Sequence, residues 1–226
     1  EVPLAFEPGL FWNYSVGIDV AGRIIEIISG KLLDIFLEEY LFQPLKMTDT
    51  SFYLTSKKRE RLADCFFYEN MTPNFRPLEN LYKSFSFNKK EVTNFSGGSG
   101  LLSTANDYLK FAELLLNDGK LRGIKFLPER VVKKIKTNSL ADDIASIGVK
   151  SFAQMSTNGM GHSLAGSVII DPNIAFPSSI NDFGWGGMGS NYFWIDFTRQ
   201  LCAIFMTQLI PSSAYPNRKE LKALLS

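Results

Sequence analysis

Apolar residues in the first part of the chain recur at helical spacing. The pattern predicts an amphipathic helix over 15–29, with Gly30 in the left-handed position that often ends a helix. A second helix is predicted over 34–42, ended by Pro44, and a short third helix over 57–63. The apolar face of the first helix consists of Val16, Val20, Ile24, Ile27 and Ile28.

The middle of the chain has a less regular pattern. The stretch 66–91 is polar and aromatic without a clear period, which indicates loops and short extended pieces. Ser103 or Thr104 is expected to cap a helix that runs to Leu116. Pro128, at a first-turn position, is expected to begin another helix.

After about residue 140 the pattern changes to short β-branched and aromatic runs. Strands are predicted at 167–170, 192–195 and 201–207, and a closing helix over 218–225. Helices followed by an antiparallel meander indicate an α+β fold. We predict a mostly helical domain over 1–140 and the C-terminal part of an α/β sheet domain over 141–226.

The run from Leu201 to Met206 is apolar at every position. This pattern is typical of a strand that is buried on both faces in the middle of a sheet. Nothing later in the chain could pair with its second edge. We therefore expect the partner strands to come from an N-terminal segment of the same protein, before residue 1.

Composition narrows the classes of function. The net charge of +1 gives no sign of nucleic-acid binding, and the longest apolar run, 201–210, is too short to span a bilayer. One histidine and two distant cysteines argue against a metal site. Cys65 and Cys202 leave a disulfide open, but two separate buried thiols fit the spacing better.

Four motifs follow one another in a fixed order along the chain. They are Phe6-x-Pro8-Gly9-x-x-Trp12-x-Tyr14-Ser15-x-x-x-Asp19, Gln43-Pro44-Leu45-x-Met47-x-Asp49-Thr50, Gly100-Leu101-Leu102-Ser103-Thr104-Ala105-x-Asp107 and Trp185-Gly186-Gly187. The ordered set resembles the class C β-lactamase and penicillin-binding superfamily, most of all the branch called family VIII carboxylesterases. The motif that begins at Gln43 resembles the proline-leucine-glycine-methionine turn of that family, with Lys46 in place of the glycine.

This resemblance implies a β-lactamase/transpeptidase-like fold and acyl transfer through a serine nucleophile. The family carries that serine in Ser-x-x-Lys, which does not occur before Tyr14 in this sequence, so the N-terminal strands and the nucleophile helix are expected to be absent and this chain alone to be inactive. By resemblance, Tyr14 relays the proton and the backbone amide of Met188 is an oxyanion donor. No cofactor is implied.

The Trp185-Gly186-Gly187 motif suggests a substrate class. Trp185 replaces a cation that β-lactamases use for the substrate carboxylate, so the resemblance favours a neutral small-molecule ester or amide. Gly186 and Gly187 would let the substrate lie close against the strand. The alternatives are a β-lactamase or D-alanyl-D-alanine peptidase on the same fold, and a non-catalytic protein that binds a penicillin-like ligand or a partner.

Three other motifs are read as chance matches. Ser86-Phe87-Asn88-Lys89 fits Ser-x-x-Lys but follows the tyrosine motif instead of preceding it. Gly161-His162-Ser163-Leu164-Ala165 resembles a nucleophile elbow, but a strand and not a helix is predicted after it. Gly186-Gly187-Met188-Gly189 lacks the lysine and the helix of a phosphate loop.

Overall fold

The computed structural model describes residues 3–14, 16–69, 75–78, 92, 94–153, 155–212 and 214–225. The chain divides into two compact units, which are described separately below. The helical unit comprises Tyr14–Phe111, and the sheet unit comprises Glu1–Asn13 together with Ala112–Ser226. The domain division at residue 140 stays a prediction.

The helical unit begins with α1 and continues through short helices into a small hairpin. Its elements are α1 (Gly17–Ser29), α2 (Leu33–Leu37), a π-helical turn (Glu38–Phe42), α3 (Gln43–Leu45), α4 (Ser56–Arg59), β1 (Phe66–Tyr68) and β2 (Phe75–Pro77). Strands β1 and β2 pair antiparallel. Helix α5 (Ala105–Leu116) begins in this unit.

Helix α1 confirms the helical pattern read from the sequence. Gly30 has a φ of 68° and its N–H donates to the carbonyl of Glu26, as expected for a left-handed helix end. The apolar face of α1 is largely exposed, up to 81% at Ile28. An apolar helix face usually packs against another element, so the exposure of this face is unusual.

The prediction that the second helix ends at Pro44 is wrong. The chain stays helical through Leu45, because Pro44 occupies a first-turn position, where a missing N–H costs no hydrogen bond. The turn ends at Lys46, which has a φ of 56°. A lysine therefore occupies the left-handed conformation that glycine adopts without strain.

The predicted capping site before α5 is confirmed at Thr104. Its Oγ1 accepts the N–H of Asp107 at 3.2 Å, and its carbonyl accepts the N–H of Tyr108. The carboxylate of Asp107 is buried and accepts bonds from Asp49 N–H and Thr50 Oγ1. Asp107 thus ties the start of α5 to the turn at 49–50.

The sheet unit contains most of the strands. Its elements after α5 are β3 (Lys120–Leu121), β4 (Ile124–Lys125), α6 (Glu129–Ile135), α7 (Ile144–Ile147), β5 (Ser151–Phe152), β6 (Met155–Ser156), β7 (Met160–His162), β8 (Ser167–Ile169), β9 (Phe183–Gly186), β10 (Tyr192–Asp196), β11 (Leu201–Phe205), β12 (Leu209–Ile210) and α8 (Asn217–Leu225). The predicted meander and the closing helix are confirmed.

A five-stranded antiparallel sheet of order β11-β10-β9-β8-β7 forms the centre of this unit. Strand β10 pairs with β9 on one side and with β11 on the other, and all five of its residues are buried. The core on this sheet comprises Ile144, Met155, Met160, Ile169, Tyr192 and Trp194. In the described sheet β11 lies at the edge and is half-buried at each position.

Both cysteines are free thiols, as expected, but only Cys65 is fully buried and Cys202 is half-buried. Within the described ranges, no helix combines the length and the apolar character needed to cross a bilayer.

Candidate active site

Tyr14 is the first residue of the helical unit and precedes α1. Tyr14 is 54% exposed. Ser15, the next residue of the motif, and the Ser86–Lys89 motif lie outside the described residues. The apolar neighbours Val16 and Ile18 are also exposed.

Asp19, for which the sequence analysis predicts no role, fixes the loop at 96–99. Its Oδ1 accepts the hydroxyl of Ser96, and it also accepts the N–H of Gly98 at 3.3 Å. The Ser96 hydroxyl, and to a smaller extent the Gly98 N–H, hold the pKa of Asp19 below its usual value. The glycine-rich loop at 96–99 is thus held to the start of α1.

Gly97 explains why this loop is rich in glycine. A Cβ atom at this position would lie 2.2 Å from the carbonyl oxygen of Ile18, a distance that no real side chain adopts. The backbone of the loop therefore packs directly on the backbone of α1. In the helical unit, the segment after Tyr14 and the loop 96–99 form one rigid piece.

In the sheet unit, Trp185 lies in a cluster of aromatic rings. Its indole stacks on Phe152 with ring centres 5.6 Å apart and meets the edge of His162 at 5.2 Å. Trp12 contacts the same Phe152 and His162 rings at 5.8 and 5.9 Å. These contacts restrict the rotamers of Trp185 and make it a fixed apolar surface.

His162 is a member of this cluster of aromatic rings. Its Nδ1 lies 2.6 Å from the carbonyl oxygen of Ser163, and because a carbonyl can only accept, Nδ1 carries the proton. Burial lowers the pKa of His162, although the Ser163 carbonyl opposes the shift. Strands β7 and β8 form a hairpin here, which confirms that no nucleophile elbow is present at 161–165.

The loop from Gly187 to Asn191 follows Trp185 and is held at several points. The N–H of Gly187 donates to the carbonyl of Asn191 at 3.0 Å. The carbonyl of Gly189 accepts the hydroxyl of Thr207 at 2.8 Å and the N–H of Leu209 at 3.1 Å. Met188 is 65% exposed at the tip of the loop.

Arg218, on α8, lies beneath this loop. It is 6% exposed, and its Nη2 donates to the carbonyl oxygens of Gly187 at 2.7 Å and Asn191 at 3.1 Å. Burial lowers the pKa of Arg218 from its ordinary value. This contact could not be predicted from the sequence, in which Arg218 is only the first residue of the predicted closing helix.

The two glycines of the Trp185-Gly186-Gly187 motif have different surroundings. A Cβ on Gly186 would lie 2.6 Å from Cζ of Arg218 and 2.8 Å from the carbonyl of Asn191. A Cβ on Gly187 would approach only Asn191, at 3.6 Å. Gly186 is therefore required by the packing behind the strand, whereas Gly187 has room for a side chain.

The predicted site residues thus fall into two groups. Trp185, Gly186, Gly187 and Met188 are contiguous in the sheet unit, whereas Tyr14 belongs to the helical unit. Their predicted roles stay predictions.

Comparison with known families assigns the chain. A family model described as Beta-lactamase matches residues 1–225. The chain belongs to the beta-lactamase family. This confirms the superfamily resemblance drawn from the four ordered motifs, and with it the β-lactamase/transpeptidase-like α+β fold.

Several relatives in this beta-lactamase family are described as esterases. The lovastatin esterase of Penicillium rubens is 27% identical over 92% of this chain and 53% of its own length. Esterase EstB of Burkholderia gladioli is 26% identical over 92% of the chain and 52% of its own length. The structure of the simvastatin synthase LovD from Aspergillus terreus aligns with a TM-score of 0.81 at 22% identity, over 97% of this chain and 55% of that chain.

The chain spans about half the length of the curated relatives that it matches. The activity of the whole protein is therefore a proposal.

Proposed function

We propose that the complete protein is a serine hydrolase that cleaves small neutral esters through an acyl-serine intermediate. The observation that carries this proposal is the peptide between Gly187 and Met188. It follows Trp185 on a loop held by the Thr207 and Leu209 contacts, and Met188 is 65% exposed at the tip of that loop. Esterase relatives support the choice of reaction.

The amide of Met188 has the properties of an oxyanion donor. Among the described residues, none accepts a hydrogen bond from this N–H. The loop is fixed by the Thr207 and Leu209 contacts, so the donor would need no reorganisation when negative charge develops. Tyr14 would deliver the proton to the leaving group, acting as general acid.

Trp185 favours an uncharged substrate. Its indole is fixed by Phe152 and His162 and offers an apolar face instead of a cation. Burying a substrate carboxylate against such a surface would leave the charge unpaired, at a substantial energetic cost. Neutral esters meet no such cost, which makes a β-lactam or a peptide with a terminal carboxylate the poorer substrate.

The nucleophile would come from a further segment that carries Ser-x-x-Lys. The matched relatives are about twice as long as this chain, which leaves room for such a segment. The exposed apolar face of α1 and the half-buried edge strand β11 are the surfaces we assign to it. Covering them would remove apolar side chains from water and complete the proposed site.

The test compares ester and lactam hydrolysis by the complete protein. We expect measurable hydrolysis of short-chain nitrophenyl esters and at least a hundredfold lower kcat/KM for a chromogenic cephalosporin, the ratio we set as the threshold. The Tyr14→Phe variant should lose about 10²- to 10⁴-fold in kcat, the usual contribution of a general acid or base. The matched control is Tyr40→Phe, which also removes the hydroxyl of an exposed tyrosine of the helical unit.

The outcomes of these assays distinguish the esterase from the β-lactamase and the non-catalytic alternative, and they test the role of Tyr14. Preferential hydrolysis of the cephalosporin would replace the esterase proposal with the β-lactamase alternative. Absence of any hydrolysis, with binding of a penicillin-like ligand retained, would favour the non-catalytic alternative. Equal activity of the Tyr14 and Tyr40 variants would remove Tyr14 from the mechanism.

A further inference from the structure

Arg218 is a buried cation whose contacts are unusual for a core arginine. Buried arginines are normally paired with a carboxylate, because an unpaired buried charge is costly. Within the described part of the chain, no carboxylate pairs with Arg218, and its Nε has no hydrogen-bond partner. Its guanidinium instead lies against the Tyr192 ring, with Cζ 5.8 Å from the ring centre.

The uncompensated charge is directed at two backbone carbonyls of the loop, and most closely at that of Gly187. Nη2 makes its shorter bond, of 2.7 Å, to the carbonyl oxygen of Gly187. A second bond of 3.1 Å to the carbonyl of Asn191 fixes the guanidinium at the other end of the loop. The missing side chain of Gly186 is what admits Cζ to this position, since a Cβ there would lie at 2.6 Å.

The orientation of one peptide follows from this contact. In a trans peptide the C=O and the following N–H point in opposite directions. Because the Gly187 carbonyl is held from the buried side by Arg218, the N–H of Met188 is directed to the exposed side. A cation on the carbonyl also draws electron density from the peptide, which strengthens its N–H as a donor.

We propose that Arg218 is a positioning residue for the oxyanion site. It fixes the direction of the Gly187–Met188 peptide and increases the positive charge at the Met188 N–H, one peptide unit away. This inference rests on the proposed function, because it names the device that strengthens the same donor. Its effect is greatest when negative charge has developed on the substrate oxygen, so it stabilises the transition state more than the bound substrate.

The experiment uses Arg218→Met and Arg218→Lys in the complete protein. The control is Lys222→Met, which removes a second buried cation from the same helix, one that pairs with Asp182. For a nitrophenyl ester, Arg218→Met should lower kcat about 10- to 100-fold with KM nearly unchanged, somewhat less than the loss of an entire oxyanion donor. Affinity for a boronic acid that forms a tetrahedral adduct should fall by a similar factor.

The Arg218→Lys and Lys222→Met variants show whether the effect of Arg218→Met comes from the loss of this particular charge. Arg218→Lys keeps a positive charge that can reach a carbonyl, so its kcat should lie between those of the wild type and Arg218→Met. Lys222→Met should lower stability while its folded fraction keeps the wild-type kcat. A merely structural role of Arg218 would instead give the same pattern for the Arg218→Met and Lys222→Met variants.

A readout without turnover separates this inference from the proposed function. With ¹⁵N-methionine labelling, the Met188 amide resonance, assigned with Met188→Leu, should move upfield in Arg218→Met and stay in place in Lys222→Met. A folded Arg218→Met or Arg218→Lys protein with unchanged kcat and an unmoved Met188 resonance would overturn the inference. A wild-type protein without esterase activity would overturn the proposed function, and the Met188 resonance would still decide the role of Arg218.

Discussion

Lys222 Nζ lies 2.8 Å from Asp182 Oδ2, and both side chains are at most 3% exposed. This ion pair joins α8 to the residue just before β9, whose other end carries Trp185 and Gly186. Lys222 also lies over the Phe176 and Trp194 rings, at 5.3 and 5.6 Å from their centres. The pair therefore ties α8 to the start of β9 through two buried charges.

Removing one partner of this ion pair should be strongly destabilising. Lys222→Met leaves the Asp182 carboxylate buried without its cation, and we expect a loss of about 3–5 kcal/mol in the free energy of unfolding, measured by urea titration. The double variant Asp182→Asn/Lys222→Met should recover part of that loss, because no unpaired charge remains. A single variant as stable as the wild type would show that the pair contributes nothing.

Alanine at Gly186 and at Gly187 should have different effects. Gly186→Ala places a Cβ against Arg218 and Asn191 and should cost about 1–3 kcal/mol of stability, as overpacking usually does. Gly187→Ala meets only an ordinary contact and should fold normally. Thermal unfolding of the two variants, side by side, checks this. Similar melting temperatures would contradict the packing described for Gly186.

Lys46→Gly should stabilise the protein. Lysine holds a φ of 56° here, and glycine adopts that conformation without strain, so we expect a gain of about 0.5–1 kcal/mol after the entropic cost of glycine. Lys57→Gly, in the helix α4, is the control and should be destabilising. Urea titration measures both, and a loss of stability in Lys46→Gly would contradict the left-handed turn.

His162 should make stability fall at mildly acidic pH. Burial lowers its pKa in the folded state, so below the ordinary value of about 6.5 the unfolded chain binds the proton more readily. Stability should therefore be constant above about pH 7 and decrease from there towards pH 5. His162→Gln should flatten this part of the curve, since the chain has no other histidine. An unchanged slope in the variant would contradict a buried, neutral His162.

Local pattern was sufficient for much of the fold. The helix before Gly30, the cap at Thr104 and the strands around 192–205 follow from spacing and from residue types, which act over a few positions. The end at Pro44 was predicted wrongly, because proline is also acceptable in a first helical turn. The exposure of the apolar α1 face could not be predicted from the sequence. The spacing of apolar residues shows which side of a helix is apolar, but not what covers that side.

The site was predictable only where motifs are contiguous. Trp185 to Met188 lie in one segment, and their order relative to Tyr14 carries the family signal. Arg218 is separated from Gly187 by 31 positions, and its role depends on a backbone carbonyl, which no residue pattern records. The link between Asp19 and the loop at 96–98 depends in the same way on contacts between distant segments.

The proposed acyl-serine mechanism can be tested by the intact mass of the complete protein before and after reaction with a fluorophosphonate probe. We expect a single covalent adduct on the serine of a Ser-x-x-Lys motif outside residues 1–226, with labelling blocked by a short-chain ester. An unlabelled protein that hydrolyses no ester, or an adduct on a serine within residues 1–226, would contradict it.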